Sequence, residues 1–184
     1  MVGAILTQNT AWKNASLAIE ELRRRGLLSP EALLKTDDAE LARIIRPSGY
    51  YNQKADRLKQ ICRFYQKAEH RNTVPEREEL LAIRGIGPET ADSVLLYAYQ
   101  VPVFVIDTYT KRTFTRIGIA RQGISYEELQ ELFMKNLPPD HSLFNEYHAL
   151  IVRHGKEICR KKPLCASCVL CHHDVCEFGR TSRR

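Results

Sequence analysis

The chain has 184 residues, 43% of them hydrophobic and 27% charged, with a net charge of +6. That is the composition of a soluble globular protein with room for one core or two small lobes, and no apolar run approaches the ~20 residues that cross a bilayer. Polar residues follow Met1–Leu6 at once, so no cleavable export signal is read, and a cytosolic location is expected, at the nucleoid in a prokaryote.

Charge and cysteine are both concentrated at the C-terminal end. Residues 153 to 184 carry eight Lys/Arg against three acids, which is +5 of the total +6. A basic end on a near-neutral body suits a polyanion partner, although Arg180 to Arg184 read as a solvated tail. Five of six cysteines crowd the same region: Cys159, Cys165, Cys168, Cys171 and Cys176. In a chain without an export signal, such a cluster points to metal rather than disulfides.

In chain order, Ala4–Thr10 reads as the end of an uncapped apolar helix that begins at the first residue, as if a segment usually precedes it. Lys13–Arg25 is a helix with Leu17, Ile19 and Leu22 inward and Gly26 as its stop. Ser29-Pro30-Glu31 opens a short helix, and Asp37 or Asp38 caps the next. After the turn Arg46-Pro47-Ser48-Gly49, a helix runs to about Ala68, with Cys62 on its apolar stripe as a core residue. Pro75 opens a helix leading into Gly85. Further helices are expected at about Thr108–Ile117, Tyr126–Leu137 and Leu143–Ile158. Only Val101–Ile106 could be a strand, and it has no partner. The expected fold is all-α, with lobes at 1–103 and 104–184.

The chain is organised around Glu78–Arg112. Two helical patterns hinge on Gly85-Ile86-Gly87-Pro88, where glycines permit a tight turn and a close backbone approach to an anion. Pro88 at the first helical position aims free N–H groups and the helix dipole at the same place. A plain helix–helix turn is the simpler alternative. Asp107 then ends the apolar run, where it serves as an N-cap whatever else it does.

The pattern Leu80-Leu81-x-Ile83-x-Gly85-Ile86-Gly87-x-x-Thr90-Ala91, spanning 78–98 with its helices, resembles the helix-hairpin-helix motif of DNA-repair proteins. Hairpin, helix and Val-Ile-Asp-Thr together resemble the helix-hairpin-helix/Gly-Pro-Asp superfamily of endonuclease III-type DNA glycosylases, across nearly the whole chain. The resemblance implies two helical lobes, one a helical barrel and one bearing an iron–sulfur cluster. It also implies a monomer that binds damaged double-stranded DNA and flips the damaged base out. Asp107 falls on the family's catalytic aspartate, which stabilises positive charge on the sugar and orients water. Gly85 and Gly87 fall on the backbone grip. Tyr50, in Gly49-Tyr50-Tyr51-Asn52-Gln53-Lys54-Ala55, falls on the residue wedged into the base stack, with an exposed turn aromatic as the alternative. Gln8 or Asn9 falls where a polar residue fills the vacated space.

The second hairpin helix carries a lysine in lyase members of the family, and Glu89 stands at that position here. Lacking this nucleophile, the chain is expected to be a simple glycosylase. Residues 5–12 and 46–54 look most like the 3-methyladenine DNA glycosylase branch, in which the positions of Trp12 and Glu89 line the base pocket. An aromatic and a carboxylate would suit a cationic alkylpurine. Trp12 as a core aromatic and Glu89 as a first-turn acid remain open. The alternatives in function are an endonuclease III-like glycosylase/lyase, a uracil or thymine mismatch glycosylase, and a non-catalytic damage-binding protein.

The C-terminal cysteines resemble the family's [4Fe–4S] loop, which implies Cys159, Cys165, Cys168 and Cys176 as ligands with Cys171 as the alternative. The gap from Cys159 to Cys165 is one residue shorter than the family's usual gap. Zinc, with His172 or His173, is the runner-up. Arg160, Lys161 and Lys162 inside the first cysteine gap are the expected phosphate contacts.

Overall fold

The computed structural model describes residues 1–182; Arg183 and Arg184, the end of the tail expected to be solvated, lie outside the described residues. Among the described residues all regular structure is helical. The chain divides into two compact units, Met1–Tyr99 and Gln100–Arg184.

The first unit contains α1 (Val2–Leu6), α2 (Trp12–Arg24), α3 (Pro30–Lys35), α4 (Asp38–Ile44), α5 (Tyr51–Arg71), α6 (Arg77–Leu81) and α7 (Pro88–Tyr99). α3 and α4 start where side chains satisfy their first N–H groups. Ser29 accepts from Ala32 N, and Asp37 from Ala39 N and Glu40 N. α1 stops at Leu6, four residues short of the expected end at Thr10, and Thr7 turns its hydroxyl back onto the Gly3 carbonyl at 2.7 Å. On α2 the buried face is Ala15, Ala18 and Leu22, at helical spacing. Leu17, expected inward, is 53% exposed. Cys62 is buried on α5 as expected, and burial pushes its thiol up to about 11.

The second unit contains α8 (Thr108–Ile117), α9 (Tyr126–Asn136), α10 (His141–Glu157), α11 (Val169–His172) and α12 (Glu177–Ser182). Ser125 and Glu128 form a capping box on α9, and Asp140 caps α10. The run Val101–Ile106 is extended but is not a strand. It is held through its backbone by other groups: Gln130 Nε2 donates to Phe104 O at 2.7 Å, and Ile106 N donates to the Tyr126 hydroxyl at 3.3 Å. Phe104 stacks on Phe133 with centroids 3.9 Å apart and meets Phe144 edge-on. This aromatic core fixes the end of the run, and so fixes where Asp107 begins α8. The division at Tyr99 therefore leaves the whole run in the second unit, where a boundary after residue 103 would split it.

Candidate active site and cysteine centre

Within the first unit, α6 and α7 are locked as a hairpin by a bidentate ion pair. Arg77 Nε and Nη2 lie 2.6 and 3.0 Å from the two oxygens of Asp92, which is fully buried. Ile86, between the two glycines, is buried as the hairpin's anchor. The glycines have different reasons to be there. Gly85 has φ +84°, and a Cβ on it would collide with the Arg57 guanidinium, whereas a Cβ on Gly87 would meet open space. Gly85 is thus required by the protein's own packing, while Gly87 leaves room at the surface for something outside it.

Gln8 and the hairpin are brought together. Gln8 Nε2 donates to Gly85 O at 3.1 Å and to Thr90 Oγ1 at 2.9 Å, while Arg57 Nη1 donates to Gln8 Oε1 at 2.7 Å. Asn9 is exposed with φ 52°. Tyr50 also has left-handed backbone, φ 48°, and is 63% exposed. For a bulky residue that conformation is strained, and it projects the ring at the start of α5. Lys54, one turn into α5, is completely buried; its Nζ donates to Leu6 O at 3.0 Å and Ser48 O at 2.6 Å. One cation thereby ties the end of α1 to the 46–49 turn, and burial lowers its pKa.

Trp12 is 54% exposed at the first position of α2, which removes the reading of it as a core aromatic. Glu89 is exposed in the first turn of α7.

Within the second unit, Asp107 caps α8. Its Oδ1 accepts from Thr110 N at 2.7 Å and from Thr110 Oγ1 at 2.8 Å. Its Oδ2 lies 3.7 Å from His148 Nε2, within ion-pair range but beyond a hydrogen bond; both side chains are 12% exposed. Burial works against the charged carboxylate, but His148 and the two Thr110 donors outweigh it and hold the carboxyl below its usual range. The site thus combines one oxygen engaged by Thr110, one oxygen 3.7 Å from an imidazole, and an ionised group at neutral pH.

The five C-terminal cysteines are all free and all line one cavity, with Arg116 and His154 also in its wall. Cys159, Cys168, Cys171 and Cys176 are buried, and Cys165 is half-buried. Burial, then the neighbouring Cys168 and Cys176, push the Cys171 thiol up to about 12. Cys171, expected to be spare, is thus packed among the others. Among the described residues, no three His, Cys, Asp or Glu side chains are grouped so as to hold a metal ion. The donor set suits a thiolate-bound group: reduced sulfurs share one cavity, and Arg116 Nη1 stands 3.3 Å from Cys159 Sγ. Of the runner-up zinc donors, His172 contacts the Ala166 carbonyl through Nε2 at 2.7 Å, and both His172 and His173 are exposed.

α8 organises this centre. Arg112 donates to Cys159 O and Gly155 O at 2.8 Å each, and Arg116 to Arg160 O at 2.6 Å and Lys161 O at 3.0 Å. The loop is held by its backbone, and the side chains of Arg160, Lys161 and Lys162 are left exposed. Gly155 permits the close approach of α10 to α8, since a Cβ there would stand 2.7 Å from Tyr109 Cδ1.

Arg57, Lys54, Arg112, Arg116 and His148 are not among the site residues read from sequence. His148 offered one signal: it falls four residues after Phe144 and three before Ile151, on the buried face of α10. The others looked like ordinary surface cations on helices.

The family model described as HhH-GPD superfamily base excision DNA repair protein matches residues 2–139. A Methanocaldococcus jannaschii protein, provisionally named a DNA repair glycosylase, is 49% identical over 177 residues, covering 91% of this chain and 80% of that protein. The structure of a non-covalent endonuclease III–DNA complex superposes with a TM-score of 0.85 at 26% identity, covering 100% of this chain and 84% of that one. The structure of the H. pylori 3-methyladenine DNA glycosylase bound to 1,N6-ethenoadenine gives 0.74 at 30% identity, covering 85% and 83%. An all-helical fold, a glycine hairpin and a capping aspartate accompany a family match over three quarters of the sequence, and the chain belongs to the HhH-GPD superfamily of base excision DNA repair proteins, as a DNA glycosylase of the endonuclease III type.

Proposed function

We propose that the chain is a monofunctional DNA glycosylase that removes alkylated purines such as 3-methyladenine from duplex DNA and leaves an abasic site. The observation that carries this reading is Glu89, exposed in the first turn of α7 where lyase members carry their nucleophilic lysine. Trp12, exposed rather than packed in the core, supports a stacking surface for a cationic base. The likeness to the H. pylori 3-methyladenine enzyme supports the same branch.

The chemistry asks little beyond a carboxylate. An N3-alkylated adenine is cationic while attached to the sugar, so the glycosidic bond breaks with its electron pair leaving on the base, which departs neutral without a general acid. Asp107 stabilises the positive charge left on the sugar and accepts the proton of the water that adds at C1′. Tyr50 and the Gln8–Asn9 segment act on the opened stack, Gly85 and Gly87 bring the hairpin backbone to phosphate, and Arg160, Lys161 and Lys162 add phosphate contacts.

Cys159, Cys165, Cys168 and Cys176, with Cys171 as the alternative fourth ligand, would hold a [4Fe–4S] cluster, and these thiolates would then be cross-linked across the C-terminal loop.

The test is base release from duplexes containing 3-methyladenine, uracil opposite guanine, thymine opposite guanine, or an oxidised pyrimidine, each followed by borohydride. Release of 3-methyladenine with an intact strand and no trapped adduct is expected. A strong covalent adduct sinks the monofunctional reading, and activity confined to oxidised pyrimidines sinks the alkylpurine one.

A further inference from the structure

Gln8 is gripped by three residues from two segments distant from it in sequence: Arg57 lies 49 residues away, and Gly85 and Thr90 of the hairpin lie 77 and 82. The arginine can only donate and the Gly85 carbonyl can only accept, so the orientation of the Gln8 amide is fixed by chemistry. Both ends of that amide are in use, and the bond from Arg57 is charge-assisted. Arg57 itself is half-buried and sits so close behind the turn that a side chain at Gly85 would strike its guanidinium. Three residues earlier on the same helix, Lys54 holds the Leu6 carbonyl at the root of the segment that carries Gln8. Asn9, the next residue, is exposed with left-handed backbone.

We propose that Arg57 is a positioning residue: it clamps Gln8 to the hairpin, so that the Gln8–Asn9 segment and the hairpin turn engage a gapped duplex as one piece. This rests on the reading that Gln8 or Asn9 enters the space left by a flipped base. Arg57 acts through the Gln8 amide and not by touching DNA. A lysine at this position keeps the charge but loses the planar fork.

The test uses the full-length protein and two duplexes of one sequence. One is intact, and the other carries a tetrahydrofuran abasic analogue opposite 2-aminopurine, which reports entry into the gap by fluorescence. No knowledge of the natural lesion is needed. Arg57→Met, Arg57→Lys, Gln8→Ala and the double variant Arg57→Met/Gln8→Ala are compared with the native chain, with melting temperature as the control for folding. The expected result is a preference for the gapped duplex reduced about tenfold in each single variant, with the intact-duplex Kd of the Arg57 variants within about twofold of native. The double variant should lose no more than either single, as for two residues acting through one hydrogen bond. The 2-aminopurine signal should fall with the preference.

Losses that multiply in the double variant overturn the proposal. So does equal weakening of both duplexes by Arg57→Met, which marks a direct phosphate contact. An impaired Gln8→Ala beside a native-like Arg57→Met overturns this proposal alone. A native-like Gln8→Ala overturns it together with the reading that Gln8 enters the gap. If Arg57→Met does not fold, Arg57→Lys carries the same expectation.

Discussion

Replacing Asp107 by asparagine separates its two roles. As an N-cap, Asn is about as good as Asp, so the substitution should change stability by no more than a few tenths of a kcal/mol. The amide oxygen can keep the 2.7 and 2.8 Å bonds from Thr110 while the NH2 group takes the place of Oδ2 beside His148. What disappears is the negative charge. A full charge about 4 Å from positive charge developing on the sugar contributes about 4 kcal/mol at an effective dielectric constant near 20. At 1.36 kcal/mol per decade, its removal should slow the chemical step about 10³-fold. The assay is single-turnover release of 3-methyladenine with enzyme in excess, beside thermal melts of native, Asp107→Asn and Asp107→Ala chains. Asp107→Ala should also lose about 1 kcal/mol of stability with the cap. A slowing of less than about tenfold in a stably folded Asp107→Asn chain refutes the catalytic assignment, because a charge that close to the sugar could not contribute so little. Equal, negligible turnover in native and variant favours a damage-binding protein.

Other expectations follow from the same geometry. Because the Asp107 carboxyl is held below its usual range, it is ionised throughout the neutral region, and the single-turnover rate should show no loss due to its protonation down to about pH 5. Its contribution to stability is present above the unfolded carboxylate value and is lost only as pH falls through the lower folded value. An acid limb centred above about pH 5 that is absent from Asp107→Asn contradicts this. Neutralising Arg160, Lys161 and Lys162 to glutamine should weaken DNA binding uniformly and reduce the salt slope by about 0.9 for each phosphate left without its cation, and an unchanged slope removes them from the interface. Cys171→Ser should retain about four irons and absorption near ~400 nm while Cys176→Ser loses both, and the reverse result moves the fourth ligand to Cys171. Gly85→Ala should destabilise the first unit by at least about 1 kcal/mol in urea unfolding, from its φ of +84° and the collision with Arg57, and native stability would show that the turn relaxes freely.

By itself the sequence determined the all-helical class, the hairpin at 85–88, the capping aspartate and the crowding of cysteines. Each is a local property: a helix needs its apolar period, its cap and its stop close together along the chain, and Ser29, Asp37, Ser125 and Asp140 are legible for that reason. The same locality misled at Leu17, where an apolar pattern continues but no core receives it, and at Thr10, which lies beyond the end of α1. Only the tertiary structure decided what distant side chains do. Arg57 and Lys54 read as surface cations on an amphipathic helix, yet their partners are carbonyls and an amide up to 49 residues away. His148 meets Asp107 from 41 residues downstream because Phe104, Phe133 and Phe144 pack α9 and α10 against the extended run that ends at Asp107. Cys171, expected only as the alternative ligand, shares the cavity of the other four thiols. Spacing records which residues are close along the chain, whereas hydrogen bonds, burial and the shift of a carboxyl depend on what folding places within a few ångströms of one another.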